Sequence, residues 1–225
     1  MAEKVVRQGL RGVSAEKVSR WRLKCCQRRV VRWGALCVAC YVGGIVPASA
    51  HMGTGLPGGI ASGFRHPFTG WDHLLAMVSV GIWGAFLGRP LIYALPVIFP
   101  VMMVGGAALG MFAVPIPSPE LGIAASVLVL GLCIALAVRA PTWVACTIVA
   151  AFAVFHGYAH GVELPSAADP VGYSVGFVVA TGILHVCGIG IGLLNERPHG
   201  VTVTRSMGAV VAAAGALFLL QAVGA

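Results

Sequence analysis

The chain carries seven histidines, and four of them fall into two compact motifs. One motif reads His156-Gly157-Tyr158-Ala159-His160-Gly161-Val162-Glu163. On a helix, residues four apart share a face, so His156 and His160 point the same way and Glu163 extends that face by three more positions. Two imidazoles in this register can chelate one divalent ion. The same pair could instead be polar residues capping a helix at a water-facing edge. The other motif is His66-Pro67-Phe68-Thr69-Gly70-Trp71-Asp72-His73. Asp72 has three compatible uses: direct metal ligand, acceptor for the second ring N–H of a ligating histidine, or N-cap of the helix that follows. His185 stands alone in an apolar stretch, either as a further ligand or as an interhelical hydrogen bonder. Imidazole with carboxylate suits Ni²⁺, Co²⁺ or Zn²⁺, whereas Mg²⁺ and Ca²⁺ want mainly oxygens and Cu(I) wants Cys or Met. Cys133, Cys146 and Cys187 are isolated from one another, which argues against a disulfide framework.

The elements that must position these side chains are membrane helices. Hydrophobic residues make up 58% of the chain and charged residues 10%, with a mean hydropathy of +0.91. A soluble domain carries roughly a quarter charged residues, so a chain this apolar reads as an integral membrane protein. The net charge of +8 belongs to the first 32 residues, where ten Lys and Arg face two Glu. A short apolar run, 33–46, follows this basic stretch and ends in Pro47-Ala48-Ser49-Ala50. Basic segment, apolar run and Ala-x-Ala predict a signal peptide over 1–50, cleaved before His51. Arg28-Arg29 is a weak twin-arginine match, and an uncleaved first span is the alternative. With its basicity confined to this segment, the chain is not expected to bind nucleic acid.

Beyond residue 70, apolar runs predict six spans at 71–87, 91–112, 120–138, 142–162, 171–193 and 206–224, with residues 51–225 forming one all-α membrane domain. Pro96 and Pro100 should kink the second span. Gly84-x-x-x-Gly88, Gly106-x-x-x-Gly110 and Gly172-x-x-x-Gly176 are expected to be packing surfaces. With the mature N-terminus outside, Arg89, Arg139, Arg197 and Arg205 fall in inside breaks, and Glu120, Glu163 and Asp169 fall on the outer side. This is the positive-inside pattern. It places His66, Asp72, His73, His156, His160 and Glu163 at one membrane face. His185 then lies about 20 Å deeper, at 1.5 Å per helical residue.

The segments HPFTGWDHLLAMVSVGIWGAFLG, FHGYAHGVELP and GFVVATGILHVCGIGIG, in that order, resemble the three signature regions of the HupE/UreJ family of hydrogenase and urease accessory proteins. The resemblance covers about residues 51–225. It implies a nickel or cobalt permease of the bacterial inner membrane, importing the ion from periplasm to cytoplasm for metalloenzyme maturation. It also implies metal-handling roles for His66, Asp72, His73, His156 and His160, with Glu163 and His185 beside them. Many members have a histidine where this chain has Tyr158. His51, as the first mature residue, is expected to help capture the ion. The reading needs no prosthetic group, and the ion is cargo. No G-x-x-x-x-G-K-[ST] motif occurs, which disfavours ATP-driven transport. An intramembrane zinc hydrolase and a non-transporting metal-binding accessory protein are the rival classes, and a homo-oligomer is compatible with all three.

Overall fold

The computed structural model describes residues 59–164 and 169–224. The expected signal peptide and His51 lie outside this range. The described residues are helical, with no strand among them. The helices are α1 (Ile60–Thr69), α2 (Trp71–Leu87), α3 (Leu91–Met111), α4 (Pro119–Ala135), α5 (Thr142–Glu163), α6 (Pro170–Gly192) and α7 (Gly200–Gly224), with a short 3-10 turn, Leu193–Glu196, before α7.

Four of these helices are long and apolar enough to cross a membrane: α3, α5, α7 and α6 with its 3-10 extension. The pair α1 and α2 makes a fifth if counted as one broken span, and α4 is a shorter apolar helix of 17 residues. The chain is a multi-pass membrane protein. Its helices are inverted relative to a soluble bundle. On α3, Leu91, Leu95, Phe99, Met103, Gly106 and Gly110 form one buried stripe at helical spacing. The opposite face exposes Tyr93, Val97, Val101 and Val104, which only lipid can cover favourably.

Five of the six expected segments match helices to within a few residues. The sixth begins at Gly200, six residues earlier than the sequence suggests. Thr204 explains the difference: its hydroxyl bonds back to Gly200 O and to the Asn195 side chain, so the polar first turn is satisfied within the helix and its connection. α3 runs as one helix through Pro96 and Pro100. The helix α1, in the segment before the first expected span, has no counterpart in the sequence reading.

Glycines set which helices touch. A Cβ at Gly157 would collide with the Met103 backbone, at Gly161 with Ala107, and at Gly106 with Val154. These contacts advance together along both chains, so α3 and α5 pack in parallel. Gly81 meets His185 and Gly188 of α6, which makes α2 and α6 a second close pair. Gly131 against Ala212 and Gly215 against Leu128 run in opposite directions, so α4 and α7 are antiparallel. Of the three glycine pairs noted in the sequence, Gly106 and Gly110 pack as expected. Gly176 meets α1, Gly172 meets its own N-cap Asp169, and Gly88 has a left-handed φ of 78° and ends α2 in open space.

The arginine-rich connections gather at one end of the bundle. Arg205 Nε donates to Ala135 O at the C-terminus of α4, and Trp83 Nε1 donates to Val138 O. The Arg139 guanidinium lies over the Phe86 ring. A carbonyl that the α4 C-terminus leaves without an internal partner is thus satisfied by a side chain of α7, and one in the connection after α4 by a side chain of α2.

Candidate metal centre

The centre forms at the opposite end, around a sharp corner. α1 and α2 meet at 83°, with only Gly70 between them. A Cβ on Gly70 would sit 3.0 Å from Asp72 Oδ1 and 3.1 Å from His73 Nδ1, so glycine leaves room for the pair immediately after it. Asp72 is not the N-cap of α2; Gly70 holds that position without a side-chain cap. Instead Asp72 Oδ1 accepts both the His73 backbone N–H at 2.8 Å and the His73 Nδ1–H at 2.7 Å. Among the three uses open to Asp72, the geometry is that of an acceptor fixing a histidine tautomer. The His73 ring is fully buried, and its Nε2 meets no hydrogen-bond partner.

α5 supplies a second oriented imidazole in another way. His156 Nδ1 donates to the carbonyl of Phe152, one turn back, at 3.0 Å. Its Nε2 likewise meets no partner, and the residue is fully buried. His73 and His156 are therefore held in the same sense: Nδ1 carries the proton into an oxygen, and Nε2 presents a lone pair to the interior. That is the state in which imidazole binds a metal.

Four histidine rings then meet edge to face. His66 lies 4.8 Å from His160 and 5.6 Å from His73, centroid to centroid; His73 lies 4.8 Å from His160 and 5.2 Å from His156. One nitrogen from each of His66, His73 and His160 falls within 4.8 Å of the others. Three nitrogens about 2.1 Å from one ion stand roughly 3.0–3.4 Å apart, so small ring rotations would close such a site.

Aromatic residues wall the cluster. Phe177 lies 4.5 Å from His160 and 5.8 Å from His66, and Tyr173, one turn earlier on α6, lies 5.9 Å from His66. Deeper in, Phe99 stands between two histidines, with its centroid 5.4 Å from His156 and 5.4 Å from His185. Phe99 is fully buried and His185 nearly so. A narrow crevice between α3, α5 and α6 reaches His160 past Met103, Ala107 and Phe177.

The structure thus brings together His66, His73, His156 and His160, with Asp72 as a supporting acceptor. It sets His185 apart, beyond Phe99. Glu163, the last residue of α5, is not in the group of three. Sequence reasoning missed the wall formed by Phe99, Tyr173 and Phe177. The only available signal was the four-residue spacing of Tyr173 and Phe177, which any apolar helix face shares.

Two comparisons bear on what this arrangement belongs to. The chain is 44% identical over 176 residues to the "Protein HupE" of Rhizobium leguminosarum bv. viciae, an alignment covering 78% of this chain and 92% of the relative. No solved structure matches it. The model of the HupE / UreJ protein family matches residues 39–218. The order of the three histidine segments, the meeting of the first two at one site, and this match over most of the chain agree: the chain belongs to the HupE/UreJ family.

Proposed function

We propose that this protein is a secondary permease that brings Ni²⁺, or Co²⁺, from the periplasm across the bacterial inner membrane for hydrogenase or urease maturation. Family members are nickel and cobalt permeases and accessories serving those enzymes, and are not themselves enzymes. In this reading α2 to α7 are six spans. The parallel packing of α2 with α6 and of α3 with α5 fits alternating crossings. α4, at 17 residues, is about 25 Å long, near the thickness of the hydrocarbon core. The arginine-bearing end faces the cytoplasm, which puts the histidine cluster at the periplasmic side.

The observation that carries the proposal is the depth series of imidazoles. His66 and His160 stand outermost, His73 and His156 follow, and His185 lies past Phe99. A structural metal site would close round one ion; a path needs successive sites, each strong enough to admit the ion and weak enough to release it. His51, at the mature N-terminus, and Glu163, at the rim, would raise the local concentration of cations at the mouth. Asp72 would increase the basicity of His73.

The deciding experiment is metal flux into proteoliposomes containing this chain alone, run with Ni²⁺, Co²⁺ and Zn²⁺ in parallel. Uptake of Ni²⁺ or Co²⁺ that His66→Ala and His160→Ala abolish, at unchanged protein level, is the expected result. Flux insensitive to both substitutions, or no flux, would overturn the assignment.

A further inference from the structure

A serine or threonine hydroxyl on an apolar helix commonly bonds to a carbonyl about one turn back on its own chain. Several hydroxyls here do so. Ser126 Oγ donates to Ile123 O, Thr147 Oγ1 to Trp143 O, Ser174 Oγ to Pro170 O and Thr204 Oγ1 to Gly200 O. Thr181 on α6 does not: it is 0% exposed, and its Oγ1 meets no hydrogen-bond partner. Tyr173, about two turns earlier on the same face, is 2% exposed, and its hydroxyl meets none either. A buried hydroxyl left so is destabilising, so its presence asks for a partner from outside the chain. Phe177 stands midway between the two, stacked on the Tyr173 ring at 6.3 Å and 4.5 Å from the His160 ring. The Tyr173 ring is 5.9 Å from His66, and Tyr173 lines the same crevice as His160. The two hydroxyls therefore bracket, on one stripe of α6, the phenyl ring that walls the histidine cluster. Ser79 also meets no partner, but it lies about 120° round α2 from His73.

Three imidazoles do not fill the coordination shell of Ni²⁺ or Co²⁺, so an ion held by His66, His73 and His160 keeps water in its remaining positions. The cation polarises those waters and makes them strong hydrogen-bond donors. Ala107, Phe177 and Val178, which line the crevice, accept nothing from them. We propose that Tyr173 and Thr181 are positioning residues for the ion's own water. The Tyr173 oxygen accepts from a water ligand while the ion sits in the group of three histidines. The Thr181 oxygen takes over one stage deeper, as the ion moves past Phe177. The ion thus crosses the phenyl layer without shedding its whole shell, and its waters keep an acceptor on the way. The proposal deepens the permease reading and rests on it for the identity of the cation and its direction of travel.

The test uses the full chain, in lipid nanodiscs for binding and in proteoliposomes for flux. Ni²⁺ is the probe and Cu⁺ the comparison, because three imidazoles can satisfy Cu⁺ without water. Tyr173→Phe keeps the ring and its stack on Phe177 and removes only the hydroxyl. It should weaken Ni²⁺ binding about tenfold and leave Cu⁺ binding unchanged. Thr181→Val keeps the shape of the side chain. It should leave Ni²⁺ binding unchanged and lower Ni²⁺ flux about tenfold. Ser79→Ala, which removes a hydroxyl turned away from the cluster, should alter neither. None of the three should lower the unfolding midpoint of the metal-free protein, since each removes a hydroxyl that no protein group pairs with. Equal losses of Ni²⁺ and Cu⁺ in Tyr173→Phe, unchanged Ni²⁺ binding in that variant, or normal flux in Thr181→Val would overturn the proposal. So would an effect of Ser79→Ala as large as either, or a lowered midpoint, which would make the hydroxyls structural. If the wild type binds Ni²⁺ but does not carry it, the permease reading fails and the role of Thr181 with it. The comparison of Ni²⁺ with Cu⁺ then still decides the role of Tyr173.

Discussion

Replacing Asp72 by Asn tests whether the carboxylate behind His73 supports metal binding through the ring. The change keeps the size and an oxygen acceptor but removes the charge. Asp72 Oδ1 stands 2.7 Å from His73 Nδ1. Crossing the imidazole adds about 2 Å and the metal–nitrogen bond about 2.1 Å more, which places the ion about 7 Å from the carboxylate oxygen. A −1 and a +2 charge at about 7 Å attract by about 5 kcal/mol at an effective dielectric near 20. The Asp72 side chain is 19% exposed, and its desolvation offsets part of that attraction. Outer-shell partners measured in other sites cost about 10- to 100-fold, or roughly 1.4–2.7 kcal/mol. Asp72→Asn should therefore weaken Ni²⁺ binding by about 10- to 100-fold in titration calorimetry on nanodisc-embedded protein. Asp72→Ala should cost at least as much, because it also leaves the His73 backbone N–H and Nδ1–H without their acceptor. Unchanged affinity in both variants, with His73→Ala abolishing binding, would show that the contact orients nothing the metal depends on.

Two further predictions concern the scaffold. Gly157→Leu should lower the amount of protein in the membrane sharply, because its Cβ has nowhere to go but into the Met103 backbone; Gly105→Leu, which meets nothing within 4 Å, should be tolerated in the same immunoblot of membrane fractions. Trp83→Phe leaves the Val138 carbonyl without its indole donor, and should lower stability by about 1 kcal/mol, read as a reduced midpoint in detergent denaturation. A midpoint equal to the wild type would show that water replaces the donor at that end.

The sequence specified the centre better than the scaffold around it. The i and i+4 spacing of His156 and His160 carries its geometry in the numbering, because helical period alone puts both rings on one face. Loop charge then placed this motif and the His66–His73 motif at one end, since arginines and acidic residues segregate along the chain. What the numbering does not carry is contact between helices. That Gly157, within the histidine motif, is the glycine on which α3 closes depends on which of several small residues face each other. The acceptor role of Asp72, in place of an N-cap, depends on the extended backbone of Gly70 and the corner it makes. α1 escaped notice because Gly59, Gly63 and Pro67 look like punctuation in a linear reading. In the structure Gly63 is where α1 closes onto the Tyr173 backbone, and Pro67 is buried against the site.

Under the proposed reading, the donor arrangement suits transport better than hydrolysis. A zinc hydrolase keeps an open coordination position and places a general base, usually a carboxylate, against the bound water. Here the carboxylate adjoining the clustered histidines is Asp72, and its Oδ1 is already occupied by two donors from His73. Glu163, the last residue of α5, is not in the group of three histidines whose nitrogens lie within 4.8 Å of one another. Phe177 lies against His160 and Phe99 against His156, side chains that offer a water nothing to bond. What the site does provide is neutral nitrogen donors at graded depth, with phenyl rings between them. Each exchange replaces one imidazole by the next, so an ion need not be stripped of all its ligands at once. Under the proposed reading, that stepwise exchange, with His73 and His156 each backed by an oxygen, favours passage over retention of the metal.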